Sequence, residues 1–116
     1  MSQQNRIPIV DDEADMRAYF RDIAEEMGYL VEECGDYGTF AAVYSEFGPT
    51  VILLDLSMPG RDGIEFLREL DKRKCSAPIL LTSGQDERVL ATAQRLGEIL
   101  SLSMRGALQM PFSVTA

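Results

Sequence analysis

Three carboxylates in this chain are spaced for chemistry. Asp55 closes an apolar run, Val51-Ile52-Leu53-Leu54, and Asp11-Asp12-Glu13 closes an earlier one, Ile7-Pro8-Ile9-Val10. Runs of this length and composition suit buried strands. Two such strands lying side by side would bring Asp11, Asp12 and Asp55 together at one edge of a sheet. Clustered carboxylates repel, so the arrangement calls for a cation. Mg2+ suits it, because that ion takes oxygen ligands and keeps several waters. With the charge neutralised, Asp55 is free to attack a phosphoryl group. Thr82 follows a third run, Ile79-Leu80-Leu81. Its hydroxyl can donate to a phosphate oxygen, and Ser83 and Gly84 are small enough to leave room. A lone Asp-Asp pair or strand-end threonine is ordinarily a turn residue. Two apolar runs that each end in Asp, inside a repeating strand and helix pattern, argue for a site instead.

The elements that must hold these residues alternate. Residues 6–10 read as a first strand. Over 14–27 the apolar residues Met16, Tyr19, Phe20, Ile23 and Met27 keep helical spacing, and Gly28 stands where a C-terminal cap glycine belongs. Tyr29 to Cys34 reads as a second strand. Thr39 to Phe47 reads as a short helix closed by Gly48-Pro49. Residues 50–54 form a third strand, apolar enough to be buried on both faces. A loop rich in Pro, Gly and Asp runs from Ser57 to Gly63. Ile64, Leu67 and Leu70 mark a third helix, and Pro78 to Leu81 a fourth strand. Val89, Ala93, Leu96 and Leu100 mark a fourth helix. Met104 to Gln109 reads as a fifth strand, stopped by Pro111.

The order βαβαβαβαβ predicts an α/β fold, a doubly wound five-stranded parallel sheet. In such sheets ligands sit beyond the carboxyl ends of the strands, where every carboxylate named above falls. The sequence ends at Ala116, where a fifth helix is expected. The last helix is therefore expected to be absent, one sheet face partly uncovered, and the chain part of a longer one. Ile99, Leu100 and Leu102 are read as core beneath that absent helix rather than as a dimer face. Pro8 is unusual in a strand expected to be central, because proline has no ladder donor. It lies near the strand's start, where that cost is small.

Composition narrows the function classes. A chain of 116 residues fits one domain, with 46% hydrophobic and 26% charged residues as in ordinary globular proteins. The net charge is -8, and the 11 basic residues are scattered. A nucleic-acid or anionic-membrane surface needs clustered Lys and Arg, so neither partner is expected. There is no histidine. This removes histidine catalysis, histidine-ligated metals and an internal phosphohistidine. Cys34 and Cys75 fit no disulfide framework or zinc motif and read as reduced thiols. Met1 to Arg6 is polar and has no secretory apolar core, and no run reaches membrane-spanning length. The cytoplasm is the expected location.

Taken together, several motifs resemble the receiver domain of two-component response regulators, over essentially the whole chain. They are Ile9-Val10-Asp11-Asp12-Glu13, Leu53-Leu54-Asp55-Leu56-Ser57-Met58-Pro59-Gly60, Asp62-Gly63, Leu81-Thr82-Ser83-Gly84 and Pro111-Phe112. The resemblance implies a flavodoxin-like strand order 2-1-3-4-5 and one receiver domain over residues 1–116, the N-terminal part of a longer response regulator. It implies Asp55 as phospho-acceptor, Asp11 and Asp12 as the acidic pair for Mg2+, and the backbone carbonyl of Ser57 as a further ligand. Thr82 matches the hydroxyl that reports the phosphate. The implied partner is a sensor histidine kinase, with an output domain or a homodimer partner downstream. The domain would assist its own phosphorylation and dephosphorylation and would otherwise not be an enzyme. The segment from Gln85 to Glu98 also resembles, weakly, receivers placed before cyclic-di-GMP phosphodiesterase (EAL-type) domains.

The chain departs from that pattern at two positions. Met110 stands where the family carries a phosphate-binding lysine, and a thioether cannot pair with a phosphoryl oxygen. Neither Gln109, expected to face away, nor Arg105 substitutes for it. Ala107 stands where the family carries an aromatic switch residue. Two readings follow. The first is a phosphorylated signalling module that works through the surface of helix four and strand five. The second is a receiver-like interaction module that works without phosphorylation. A phosphohydrolase with an aspartyl-phosphate intermediate would need a further catalytic acid and a lid, and the sequence offers neither.

Overall fold

The computed structural model describes residues 5–56, 63–83, 87–100, 102 and 104–109. Within them the chain runs β1 (Arg6–Val10), α1 (Ala14–Glu26), β2 (Leu30–Cys34), α2 (Tyr37–Phe47), β3 (Ile52–Asp55), α3 (Gly63–Lys72), β4 (Ile79–Ser83), α4 (Glu87–Ile99) and β5 (Met104–Gln109). The strands form one parallel sheet in the order β2-β1-β3-β4-β5. This is the flavodoxin-like order that the resemblance implied. Gly28 and Gly48 end α1 and α2 at φ 89° and 61°, a left-handed geometry that glycine adopts without a Cβ penalty. Helix α2 starts two residues before Thr39, because the Asp36 side chain accepts from the Thr39 N–H at 2.6 Å and caps it there.

Strand alternation sorts the apolar residues onto two faces. Val10, Ile52, Leu54, Ile79 and Leu81 join Phe40 of α2, Leu67 of α3 and Ala93 of α4 in the larger core. Ile7, Ile9 and Leu53 join Ala24 of α1 in the smaller one. Leu102 is buried in the larger core, and Leu100 packs against it, while Ile99 is 72% exposed. Leu100 and Leu102 are thus core, but on the face that α2, α3 and α4 already cover. The expectation that they lie beneath an absent helix is corrected.

The smaller face carries an apolar groove. A cavity of about 290 Å³ lies between α1 and the sheet, lined by Ile7, Ile9, Leu53 and Leu80 below and by Phe20 and Ile23 of α1. Met27, at its end, is 67% exposed.

Pro8 is the third residue of β1 and pairs with Glu32 of β2. The Arg6 carbonyl accepts from Thr50 and Val51, on the β3 side. Alternation puts the missing Pro8 N–H on that same side. The ladder between β1 and β3 accordingly comprises only Ile9 with Leu53 and Val10 with Leu54. The cost is confined to one edge of the strand.

Candidate functional site

Register, more than proximity in sequence, assembles the acidic site. Ile9 pairs with Leu53, and Leu53 pairs with Leu80. Two residues further on along each strand direction stand Asp11, Asp55 and Thr82, and Asp55 and Thr82 are Cα partners. With a side-chain period of two, all three fall on the α1 side of the sheet, in one row at its carboxyl edge. All three are buried, Thr82 most completely. Asp12 follows Asp11 past the strand end and is exposed.

Asp11, Asp12 and Asp55 each bring a carboxylate oxygen within 4.8 Å of the others. The sequence placed these three together, and the structure does so. Burial pushes the Asp11 carboxyl above its ordinary range, and repulsion from Asp12 and Glu13 adds to it. The Glu13 N–H, which donates to Asp11 Oδ1 at 2.8 Å, and the nearby Arg17 charge work the other way. Crowded oxygen donors whose charge is incompletely balanced fit a hard divalent cation such as Mg2+.

Two residues that the sequence reading did not single out hold the strand ends. Arg17, on α1, donates from Nη1 to the Asp11 carbonyl at 2.8 Å and from Nε to Glu33 Oε1 at 3.1 Å. Glu33 Oε2 also accepts from Arg21 at 2.7 Å, and these bonds hold its carboxyl below the usual carboxylate range. The Asp11 N–H donates to the Cys34 carbonyl, so both sides of Asp11's backbone are held. Tyr37, the first residue of α2, donates its hydroxyl to the Asp55 carbonyl at 2.5 Å. Arg17 had a weak sequence signal, one helical turn after Glu13. Tyr37 had none.

Gly63 opens α3 beside this contact. A Cβ there would lie 2.7 Å from the Tyr37 hydroxyl and 2.9 Å from Leu56 Cδ2. The glycine of the Asp62-Gly63 motif is therefore required by close packing. Ala107 is the Cα partner of Leu81, and Leu108 that of Thr82. Ser57 and Met110, the remaining expected site residues, lie outside the described residues.

The fold and this acidic row define a class of signalling domain, and comparison with known proteins agrees. The response regulator receiver domain family matches residues 7–114. The chain is 36% identical over 86 residues to the transcriptional regulatory protein ResD of Bacillus subtilis, covering 74% of this chain and 36% of ResD. It is 36% identical over 93 residues to the chemotaxis protein CheY of the same organism, covering 78% of each. The crystal structure of a response regulator signal receiver domain from Bermanella marisrubri superposes with a TM-score of 0.82 at 31% identity, over 96% of this chain and 89% of that one. This chain belongs to the response regulator receiver domain family. As such it is a two-component signalling domain, not an enzyme, and its acidic triad is typical of the Mg2+ site of receivers. A receiver domain implies, in general, a histidine kinase as partner. No helix among the described residues is long and apolar enough to cross a membrane.

Proposed function

We propose that Asp55 accepts a phosphoryl group from the phosphohistidine of a separate sensor kinase. The observation that carries this reading is the buried acidic row, with carboxylate oxygens of Asp11, Asp12 and Asp55 within 4.8 Å of one another. The absence of histidine in the chain fits a kinase acting in trans. An Asp55 carboxylate oxygen forms the bond to phosphorus as the bond from phosphorus to the kinase imidazole nitrogen breaks. The electron pair stays on that nitrogen. Asp11 and Asp12, with the Ser57 carbonyl, would hold Mg2+, which when bound neutralises charge on the phosphoryl oxygens. Thr82 is the buried hydroxyl paired with Asp55 across the sheet, and its role is to donate to the phosphoryl oxygen. The added charge then biases the α4 and β5 surface between two arrangements.

The setting is also a proposal. The chain is the receiver of a longer cytoplasmic response regulator, followed by an output domain or working through a homodimer. The small share of ResD that the match covers supports a longer chain.

Met110 favours a second reading, an interaction module that works without phosphorylation. Losing one electrostatic partner of transition-state charge costs on the order of 10²–10³ in rate. The test is incubation with Mg2+ and a small acyl phosphate, read by intact mass. Under the first reading the wild type gains one phosphate, Asp55→Ala gains none, and Met110→Lys gains it faster. Uptake by Met110→Lys alone would establish the second.

A further inference from the structure

Asp55 is the last residue of β3. Ile52 N–H donates to the Pro78 carbonyl and Leu56 N–H to the Thr82 carbonyl, so these residues present their backbone groups to β4. Alternation turns the Asp55 carbonyl the other way, toward β1. The pairing of β1 with β3 ends at Val10 and Leu54, and Asp11 faces β2, donating to the Cys34 carbonyl. The Tyr37 hydroxyl donates to the Asp55 carbonyl at 2.5 Å.

The tyrosine is itself held. Its ring stacks on Phe66 of α3, with centroids 4.8 Å apart and planes 15° from parallel, and the residue is 2% exposed. Gly63 leaves the space that the hydroxyl fills. Helices α2 and α3 thus converge on one backbone oxygen, that of the residue bearing the reacting carboxylate.

We infer that Tyr37 is a positioning residue for phosphoryl acceptance, its hydroxyl fixing the Asp55 peptide so that the carboxylate is aimed into the acidic row. The inference rests on the phospho-acceptor reading above. Tyr37 does not touch the phosphoryl group. It acts through Asp55, holding the peptide of the residue that carries the carboxylate.

The test is Tyr37→Phe, which keeps the ring and its stack and removes one oxygen. Wild type, Tyr37→Phe, Met110→Lys and the double variant are phosphorylated with a small acyl phosphate at saturating Mg2+. The temperature is set well below every melting point, so that all chains are folded. The expected result is a maximal rate lowered roughly ten- to a hundredfold by Tyr37→Phe in either background, as misaiming a reacting group does. The donor concentration at half-maximal rate stays within about twofold, because the donor does not meet Tyr37. The carbonyl carbon resonance of Asp55, read by NMR, shifts with loss of the hydrogen bond. A Tyr37→Phe chain that melts lower but is phosphorylated at the parent's maximal rate overturns the inference and leaves the hydroxyl a structural role. Failure of the wild type to take up phosphate, whatever Met110→Lys does, overturns the acceptor reading, and the positioning role with it.

Discussion

Neutralising Asp11 should stabilise the metal-free protein. Asp11 is buried, and its carboxylate oxygen lies within 4.8 Å of those of Asp12 and Asp55. At that separation two unit charges repel by about 1 kcal/mol in a water-like dielectric and about 3.5 kcal/mol at an effective dielectric of about 20. Asn keeps the size of the side chain and the oxygen that accepts from the Glu13 N–H. Asp11→Asn is therefore expected to gain about 1–3 kcal/mol in chelator at neutral pH, a rise in melting temperature of roughly 4–12 °C for a domain of this size. The pH dependence has a definite sign. Burial raises the Asp11 carboxyl in the folded state. Its penalty is complete above that raised value and disappears below the unfolded value, near 3.9. The advantage of Asn should shrink as the pH falls toward 4. Mg2+ should raise the melting point of the wild type and do much less for Asp11→Asn, so the order of the two narrows or inverts with metal. Thermal melts by circular dichroism, with chelator and with Mg2+, decide the matter. An Asp11→Asn protein that melts at or below the wild type in chelator would refute the argument that the row is under electrostatic strain.

Other expectations are separately measurable. Glu33 is held below the usual carboxylate range chiefly by Arg21 and also by Arg17. Its stabilisation is present above the unfolded value, about 4.3, and is lost as the pH falls through the lower folded one. The melting-point gap between wild type and Glu33→Gln should therefore close in acid, and a gap that is constant from pH 7 to 3 would contradict this. Burial pushes the Cys34 thiol up to about 12. In a Cys75→Ser chain at pH 8, an aromatic disulfide reagent should label Cys34 only as fast as the protein opens, and prompt labelling of folded protein would count against it. Gly63→Ala should cost roughly 1–3 kcal/mol in denaturant unfolding, because the added methyl meets Tyr37 and Leu56. Tyr37→Phe in the same chain should recover part of the loss, and strictly additive losses would exclude the hydroxyl as the obstacle.

Asp11, Asp55 and Thr82 were legible in the sequence for a simple reason. Each follows an apolar run, and a parallel α/β sheet sends the ends of such runs to one edge. The order of elements was legible from the same alternation of periods. Boundaries were less so. Helix α2 begins at Tyr37 rather than Thr39 because a side-chain cap at Asp36 decides its start. Leu100 and Leu102 were read on the wrong face, because a short apolar segment does not state which side of the sheet it returns to. Tyr37 was invisible for a deeper reason. Its hydroxyl meets a carbonyl 18 residues further along the chain, a contact set by how α2 packs against the end of β3 and not by any local pattern. Arg17 was missed likewise, since its partners lie on β1 and β2.

The shared row of Asp11, Asp55 and Thr82 limits how such a chain can change length. Each residue counts its phase from an apolar position that is pinned across the sheet: Ile9, Leu53 or Leu80. Adding or deleting one residue between the pinned position and the site residue reverses the side chain, turning it into the apolar core beneath α2, α3 and α4. A change in a connecting loop leaves the phase untouched. Insertions should therefore be tolerated between elements and excluded from these three strand ends, where a single extra residue would exchange a carboxylate for a neighbour of the opposite face.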